Sequence, residues 1–204
     1  MDKTVKDQST EEKILQAAKK VFVLKGMAGA RMQDIANEAG INKALLHYYF
    51  RSKEKLFEVI FTEALMRIVP RVTAILDSDE PLFDKIEEFC SDYIDVVSDN
   101  PYIPLFVINE MNKQPDDFIK KIWGKQKPAI NNFLKQVEEY SMKGLIKETD
   151  PHQLLTHIIS MTIFPFLAKP ILFFITDMDN KHYLEFMQKR KKEIPQFIIN
   201  SIKK

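Results

Sequence analysis

The chain has 204 residues, 45 % of them hydrophobic and 29 % charged, with a formal net charge of +1. That mixture excludes a disordered polyampholyte or a fibrous repeat and supplies enough apolar side chains for a hydrophobic core. A single cysteine, Cys90, excludes an internal disulfide and fits a reducing compartment.

The charge is unevenly spread. Eleven Lys and Arg against seven Asp and Glu give residues 1–55 a charge of +4, and nineteen against twenty-two leave the remainder at −3. A basic first quarter on a mildly acidic body directs any polyanion contact to the N-terminal part. The N-terminus MDKTVKDQSTEEK is polar and mixed in charge, so no signal peptide is expected, and the protein reads as cytoplasmic. No stretch shows β-branched alternation long enough for a sheet, and the chain reads as all-α.

In chain order, residues 1–8 read as a frayed arm with Lys3 and Lys6 as its cations. The first helix is expected from Ser9 or Thr10, where S-T-E-E makes a capping box, through Ile14, Leu15, Ala18, Val21 and Phe22, and Gly26 ends it. Met32, Ile35, Ala36 and Ala39 fall at i, i+3, i+4, i+7, a short helix with one buried face that stops at Gly40. Asn42 is the expected N-cap of a further helix from Lys43 to about Phe50. Two short helices joined by a glycine-containing turn form a helix-turn-helix. The second carries Lys43, a small Ala44, His47, Tyr48 and Tyr49, with Arg51, Lys53 and Lys55 after it. Such a helix fits a major groove, with hydroxyls and cations beside the phosphates. The same residues also fit a solvated basic face.

The stretch ILQAAKKVFVLKGMAGARMQDIANEAGINKALLHYYFRSKEKLF resembles the N-terminal domain of the TetR family of transcriptional regulators. The matching positions are Ile14, Leu15, Ala17, Ala18, Phe22, Gly26, Asp34, Ile35, Ala36, Ala39, Gly40, Lys43, Leu46, Tyr48, Phe50, Ser52, Lys53, Glu54 and Leu56. The resemblance implies a three-helix DNA-binding domain over residues 1–52 and a larger helical ligand-binding and dimerisation domain of about nine helices over residues 53–204. Lys43 and Ala44 would open the recognition helix against base edges or nearby phosphates. His47 and Tyr48 would approach the backbone, and Lys53 would meet a phosphate. Arg31, Met32, Asn42, Leu45 and Tyr49 complete the expected DNA-contact set. Two positions depart from the family pattern. Ala30 and Arg31 stand where a Thr pair is usual, and His47 where an aromatic Tyr is usual.

Beyond the head, a fourth helix is expected from Lys53 to about Leu76, kinked or interrupted at Pro70. Further helices are expected at about Leu82 to Ser98, from the Pro101 break to Asn112, and from Asp116 toward Lys143 with a boundary or kink at Pro128. Gly144 closes the last of these, and Asp150 caps the next, with Pro151 at its first position. Residues 154–176 are the most apolar run. His157, Pro165, Lys169 and Pro170 inside it argue against a membrane span and for a buried, broken helix in the core and subunit interface. A final helix is expected from about Asn180 to Ile202, with its QKRKKE run as a solvated face.

The expected ligand pocket draws on Phe61, Tyr93, Tyr102, Phe106, Asn109, Glu110, Trp123, Phe133, His157, Met161 and Phe164. Plain core packing accounts for the same apolar residues. No G-x-S-x-G, glycine-rich phosphate loop or H-E-x-x-H is present, so no enzyme, metal or cofactor is expected. The leading reading is a repressor released from a palindromic double-stranded DNA operator by a small apolar or amphipathic ligand. It would act as a homodimer through the last two helices, with an unidentified effector and no membrane. The alternative is a DNA-binding protein of the same fold with a protein partner or an architectural role and no inducer.

Overall fold

The computed structural model describes residues 3–113, 115–124 and 128–204, with side chains for all of these except 3–8, 67, 113, 115, 121 and 123. Eleven helices make up the described residues: α1 (Lys3–Gly29), α2 (Met32–Glu38), α3 (Lys43–Tyr49), α4 (Lys53–Asp77), α5 (Leu82–Asp99), α6 (Ile103–Lys113), α7 (Pro115–Trp123), α8 (Asn131–Met142), α9 (Pro151–Leu167), α10 (Lys169–Thr176) and α11 (Asn180–Ile202). Eight follow the first three, close to the nine expected. Packing divides the chain into two compact units, Met1–Met66 and Arg67–Lys204. The first half of α4 therefore belongs to the head.

In the head, α1 contributes Ile14, Ala17, Ala18, Val21 and Phe22 to the core, α2 contributes Ile35 and Ala36, and α3 contributes Leu46. Leu56, Phe57, Ile60 and Phe61 of α4 complete it. The Phe22 and Phe57 rings meet edge to face at 5.2 Å, and Phe57 lies 4.3 Å from Phe61. Two expectations for α1 are corrected. The helix begins at Lys3 rather than Ser9, so 3–8 are helical. Gly26 (φ 70°, ψ 170°) breaks the helical path as expected, but one further turn follows it to Gly29. The Lys3 and Lys6 side chains lie outside the described residues.

The second unit is built around α5, α9 and α11, with α8 packed on α5 and α9. Its core joins Leu82, Ile86, Phe89 and Cys90 of α5 to Phe133 and Val137 of α8, Leu154 and Ile158 of α9, and Ile194, Ile198, Ile199 and Ile202 of α11. Pro70 does not interrupt α4, which runs through it to Asp77. The segment from Asp116 toward Lys143 is two helices, α7 and α8, as the Pro128 boundary suggested; residues 125–127 lie outside the described residues. Asp150 caps α9 as its side chain accepts from the Gln153 amide at 2.7 Å.

The apolar run 154–176 breaks at Ala168, and α10 leaves α9 at 71°. No single helix among the described residues is long and apolar enough to cross a membrane. The expectation of a buried pair holds for α9 but not for α10. None of the α10 residues is buried, and Ile171, Phe174 and Ile175 face outward. The break is held from α11. Pro165 has no N–H to give the Met161 carbonyl, four residues back, and Arg190 donates to that carbonyl at 2.7 Å. Tyr183, two turns earlier on α11, donates its hydroxyl to the Pro165 carbonyl at 3.2 Å. Lys169 places its ammonium 4.7 Å from the Tyr183 ring centre and 5.2 Å from that of Phe173. The QKRKKE run is therefore not a uniformly solvated face. Arg190 turns inward, and Lys191 pairs with Asp95 at 2.6 Å. The helical spacing had grouped both with the outward residues because long cations reach sideways past their own helix face.

Candidate functional site

The candidate DNA-reading surface is made by the joint between α2 and α3. Gly40 takes φ 66°, the left-handed conformation that ends α2 and turns the chain toward α3. The Asn42 side chain then accepts from the Leu45 amide at 2.7 Å, satisfying one of the orphan donors at the start of α3. A cap of this kind contributes about 1 kcal/mol, a large share of what a helix of two turns can hold. Leu46 is fully buried, while Lys43, Ala44, Leu45, His47 and Tyr48 lie outward. Tyr48 is 80 % exposed, an unusual state for a tyrosine without a surface to meet. Tyr49 is half-buried, its ring edge to face with Tyr48 at 5.4 Å.

Arg31 is the N-cap of α2, and its backbone N–H donates to the Asp34 carboxylate at 3.2 Å. Lys25 of α1 pairs with the same carboxylate at 3.0 Å. That ammonium, helped by the Arg31 backbone bond, holds the Asp34 carboxyl below the usual carboxylate range and outweighs an opposing desolvation. The Arg31 side chain stays exposed and Met32 is half-buried beside it. His47 sets Nδ1 3.2 Å from the Arg51 carbonyl. A carbonyl can only accept, so the bond requires the proton on Nδ1 and leaves Nε2 outward.

Lys53 lies differently from the position the family pattern suggests. Its ammonium is 2.9 Å from the Met27 carbonyl, 3.2 Å from that of Ala30 and 3.4 Å from that of Ala28. An ammonium has three hydrogens, and three carbonyls face them. Of the residues expected to touch DNA, Arg31, Asn42, Lys43, Ala44, Leu45, His47 and Tyr48 are exposed, Met32 and Tyr49 are half-buried, and Lys53 turns its ammonium to backbone carbonyls.

The expected pocket residues scatter. Phe61 is fully buried in the head core. Phe133 is equally buried in the core of the second unit. The Tyr93 ring stacks on Phe89 at 6.0 Å, and burial pushes its hydroxyl well above the usual phenol range. Tyr102 is half-buried and shifts the same way for the same reason. Phe106 is buried edge to face with Phe118 at 6.0 Å. Asn109 is exposed, Glu110 half-buried and Phe164 exposed. The Trp123 side chain lies outside the described residues. His157 and Met161 do come together, in an open groove of about 360 Å³ between α9 and the end of α11. Leu154, Phe197 and Ile198 supply apolar lining to that groove, and Lys147, Glu148, Asp150, Gln153 and Ser201 supply polar groups. These residues come from the loop before α9, from α9 itself and from the last two turns of α11, and no spacing in the sequence links the three segments. Cys90 is buried with its thiol free. Burial pushes its thiol up to about 11, and the nearby Thr162 hydroxyl, at 3.6 Å, donates to the Ile158 carbonyl. Among the described residues no group of three His, Cys, Asp or Glu is placed to hold a metal ion.

Comparison with known proteins agrees with this geometry. Residues 14–60 match the family of bacterial regulatory proteins called the tetR family. The chain is 28 % identical over 149 residues to the transcriptional regulator RutR of Escherichia coli, covering 73 % of this chain and 70 % of RutR. It is 24 % identical over 139 residues to IcaR of Staphylococcus aureus, the negative regulator of a biofilm operon, covering 68 % and 73 %. In fold it resembles the hemolysin II regulator HlyIIR, with a TM-score of 0.58 at 23 % identity over 97 % of this chain and 98 % of that one. A TetR/AcrR-family regulator from Thermobifida fusca gives a TM-score of 0.61 at 16 % identity over 91 % and 96 %. An N-terminal head with a capped, outward α3, the family match across that head, and similarity to regulators of transcription beyond it lead to one assignment: residues 14–60 form a tetR-family DNA-binding head, and the chain as a whole is similar to TetR-family transcriptional regulators.

Proposed function

We propose that this protein is a repressor that binds a palindromic operator as a homodimer and leaves it when a small apolar or amphipathic ligand binds the body. We read residues 1–52 as the DNA-contacting division and 53–204 as the regulatory division, the compact head itself extending through the first half of α4 to Met66. The observation that carries the DNA-binding half is the outward row Lys43, Ala44, His47 and Tyr48 on a helix fixed by Asn42 and Leu46. The small Ala44 lets the start of α3 approach base edges, and the hydroxyl and cation reach phosphates on either side. A two-turn helix reads few base pairs, so two copies about one DNA turn apart are needed for a specific site. RutR and IcaR, regulators of transcription, support the assignment, and IcaR is a negative one.

The ligand half of the reading is supported by the groove between α9 and the end of α11. The 360 Å³ groove at His157 and Met161 is of a size that suits a small molecule. Ligand can displace the operator only by as much as it prefers the body state that spaces the heads wrongly. The site of action is the cytoplasm, where the DNA lies.

Selection of bound sites from random duplexes tests the reading directly. A recovered palindrome is expected, with half-sites about one helical turn apart. Recovery of no preferred sequence counts against it. With that operator, Lys43→Ala and Tyr48→Phe are expected to weaken binding about threefold to thirtyfold while the dimer stays intact, the range of one or two lost polar contacts. Titration at moderate salt checks this, and unchanged affinity in both variants removes these residues from the interface.

A further inference from the structure

The break at Gly26 creates a problem that the head solves with a residue from another helix. Gly26 leaves the helical path, and the turn after it, closed by the Ala30 amide on the Gly26 carbonyl at 3.1 Å, ends in carbonyls with no following helical N–H to receive. Those of Met27, Ala28 and Ala30 converge on the Lys53 ammonium. Lys53 is the first residue of α4, where the helix dipole disfavours a cation. Its charge instead sits at the C-terminal carbonyls of α1, where a dipole favours one. Ala30, 1 % exposed, is followed at once by Arg31, the N-cap of α2. Asp34 ties the same joint, accepting from the Arg31 amide and pairing with Lys25.

We infer that Lys53 is a positioning residue for operator binding: it fixes the α1–α2 joint, and through it the setting of α2 and α3, and it gives no hydrogen bond to DNA phosphate. This rests on the operator-binding function proposed above. A phosphate contact and a positioning clamp make opposite statements about charge. Phosphate accepts a guanidinium as readily as an ammonium, and losing one phosphate contact flattens the salt dependence of binding by about 0.9 on the log–log scale. Three convergent carbonyls need three hydrogens from one nitrogen, which a planar guanidinium does not offer.

The test uses the full-length protein with Lys53→Met and Lys53→Arg. Operator affinity is titrated over a series of salt concentrations, well below the melting temperature of each variant. Both variants are expected to bind about tenfold more weakly at every salt concentration, with the wild-type slope, as expected for a lost set of charged hydrogen bonds. A slope flatter by about one in Lys53→Met, or wild-type affinity in Lys53→Arg, assigns Lys53 to a phosphate and overturns the inference. Wild-type affinity in folded Lys53→Met overturns it too, because a residue that only stabilises the head leaves binding by the folded protein unchanged. Amide hydrogen exchange without DNA reads the joint independently. The Ala30 and Ile35 amides are expected to exchange at least about tenfold faster in both variants, since the clamp holds the turn they close. Unchanged exchange overturns the inference even if affinity falls. Failure of the wild-type protein to select any operator refutes the DNA-binding function instead, and the exchange measurement still decides what Lys53 does.

Discussion

Leu46→Ala is expected to abolish specific operator binding while the second unit keeps its fold. Leu46 is the buried residue of α3, with no exposed surface at all, and α3 has seven residues. A helix that short is far below the length that holds itself together in water, so its place depends on its anchor and its cap. Truncating a fully buried leucine costs about 2–5 kcal/mol, through lost transfer energy and the cavity left behind. That is enough to let α3 leave the surface of α2 without touching the core of α5, α8, α9 and α11. Thermal unfolding should lose stability in the head alone. Titration with the operator should show affinity down by at least about a hundredfold, the equivalent of about 3 kcal/mol. Wild-type affinity in Leu46→Ala means that α3 does not read the DNA.

The second large effect concerns assembly. Among the described residues, the second unit exposes Phe164 on α9, Ile171, Phe174 and Ile175 on α10, and Leu184 on α11, with Phe174 at 85 % exposure. Scattered exposed apolar residues are ordinary, but a helix with no buried residue and five apolar ones in eight is not. We expect a second copy to cover these side chains, and each buried phenylalanine then contributes about 1.5–3 kcal/mol. Phe174→Glu and Leu184→Glu, combined, should give a monomer by analytical ultracentrifugation at micromolar concentration. Operator affinity should fall at least about a hundredfold, because each head then binds one half-site alone. A double variant that remains dimeric moves the interface away from α10 and α11.

How much of this was legible in the sequence depended on the range of the interactions concerned. The elements of the head were readable because local rules fix them. Gly26 and Gly40 at positive φ, Asn42 as a side-chain cap and the buried spacing of Ile35 and Ala36 are all decided within a few residues. The same holds for Asp150 with Pro151 and for both ends of α11. Side-chain destinations across helices were not readable. Lys53 sits in a family motif, and nothing in its neighbourhood shows that its ammonium turns back to carbonyls twenty-three to twenty-six residues earlier. Arg190 lies in a run of charges that periodicity assigns to solvent, yet its partner is a carbonyl freed by a proline on another helix. The ligand residues were hardest. Phe61, Phe133 and Phe164 are alike in the sequence, but two became core in different units and one became surface.

The prolines of α9 and the side chains of α11 have a further consequence. Tyr183 and Arg190 act as two pins in two holes, the Pro165 and Met161 carbonyls. Sliding α11 by one turn along α9 pulls both pins, and orphaning the buried Pro165 carbonyl alone costs about 1–3 kcal/mol. The two helices are therefore keyed in register and cannot ratchet past one another as smooth apolar helices do. Any motion that carries a signal through this unit must take α9 and α11 as one block, and its compliance lies in the elements that are not pinned to them.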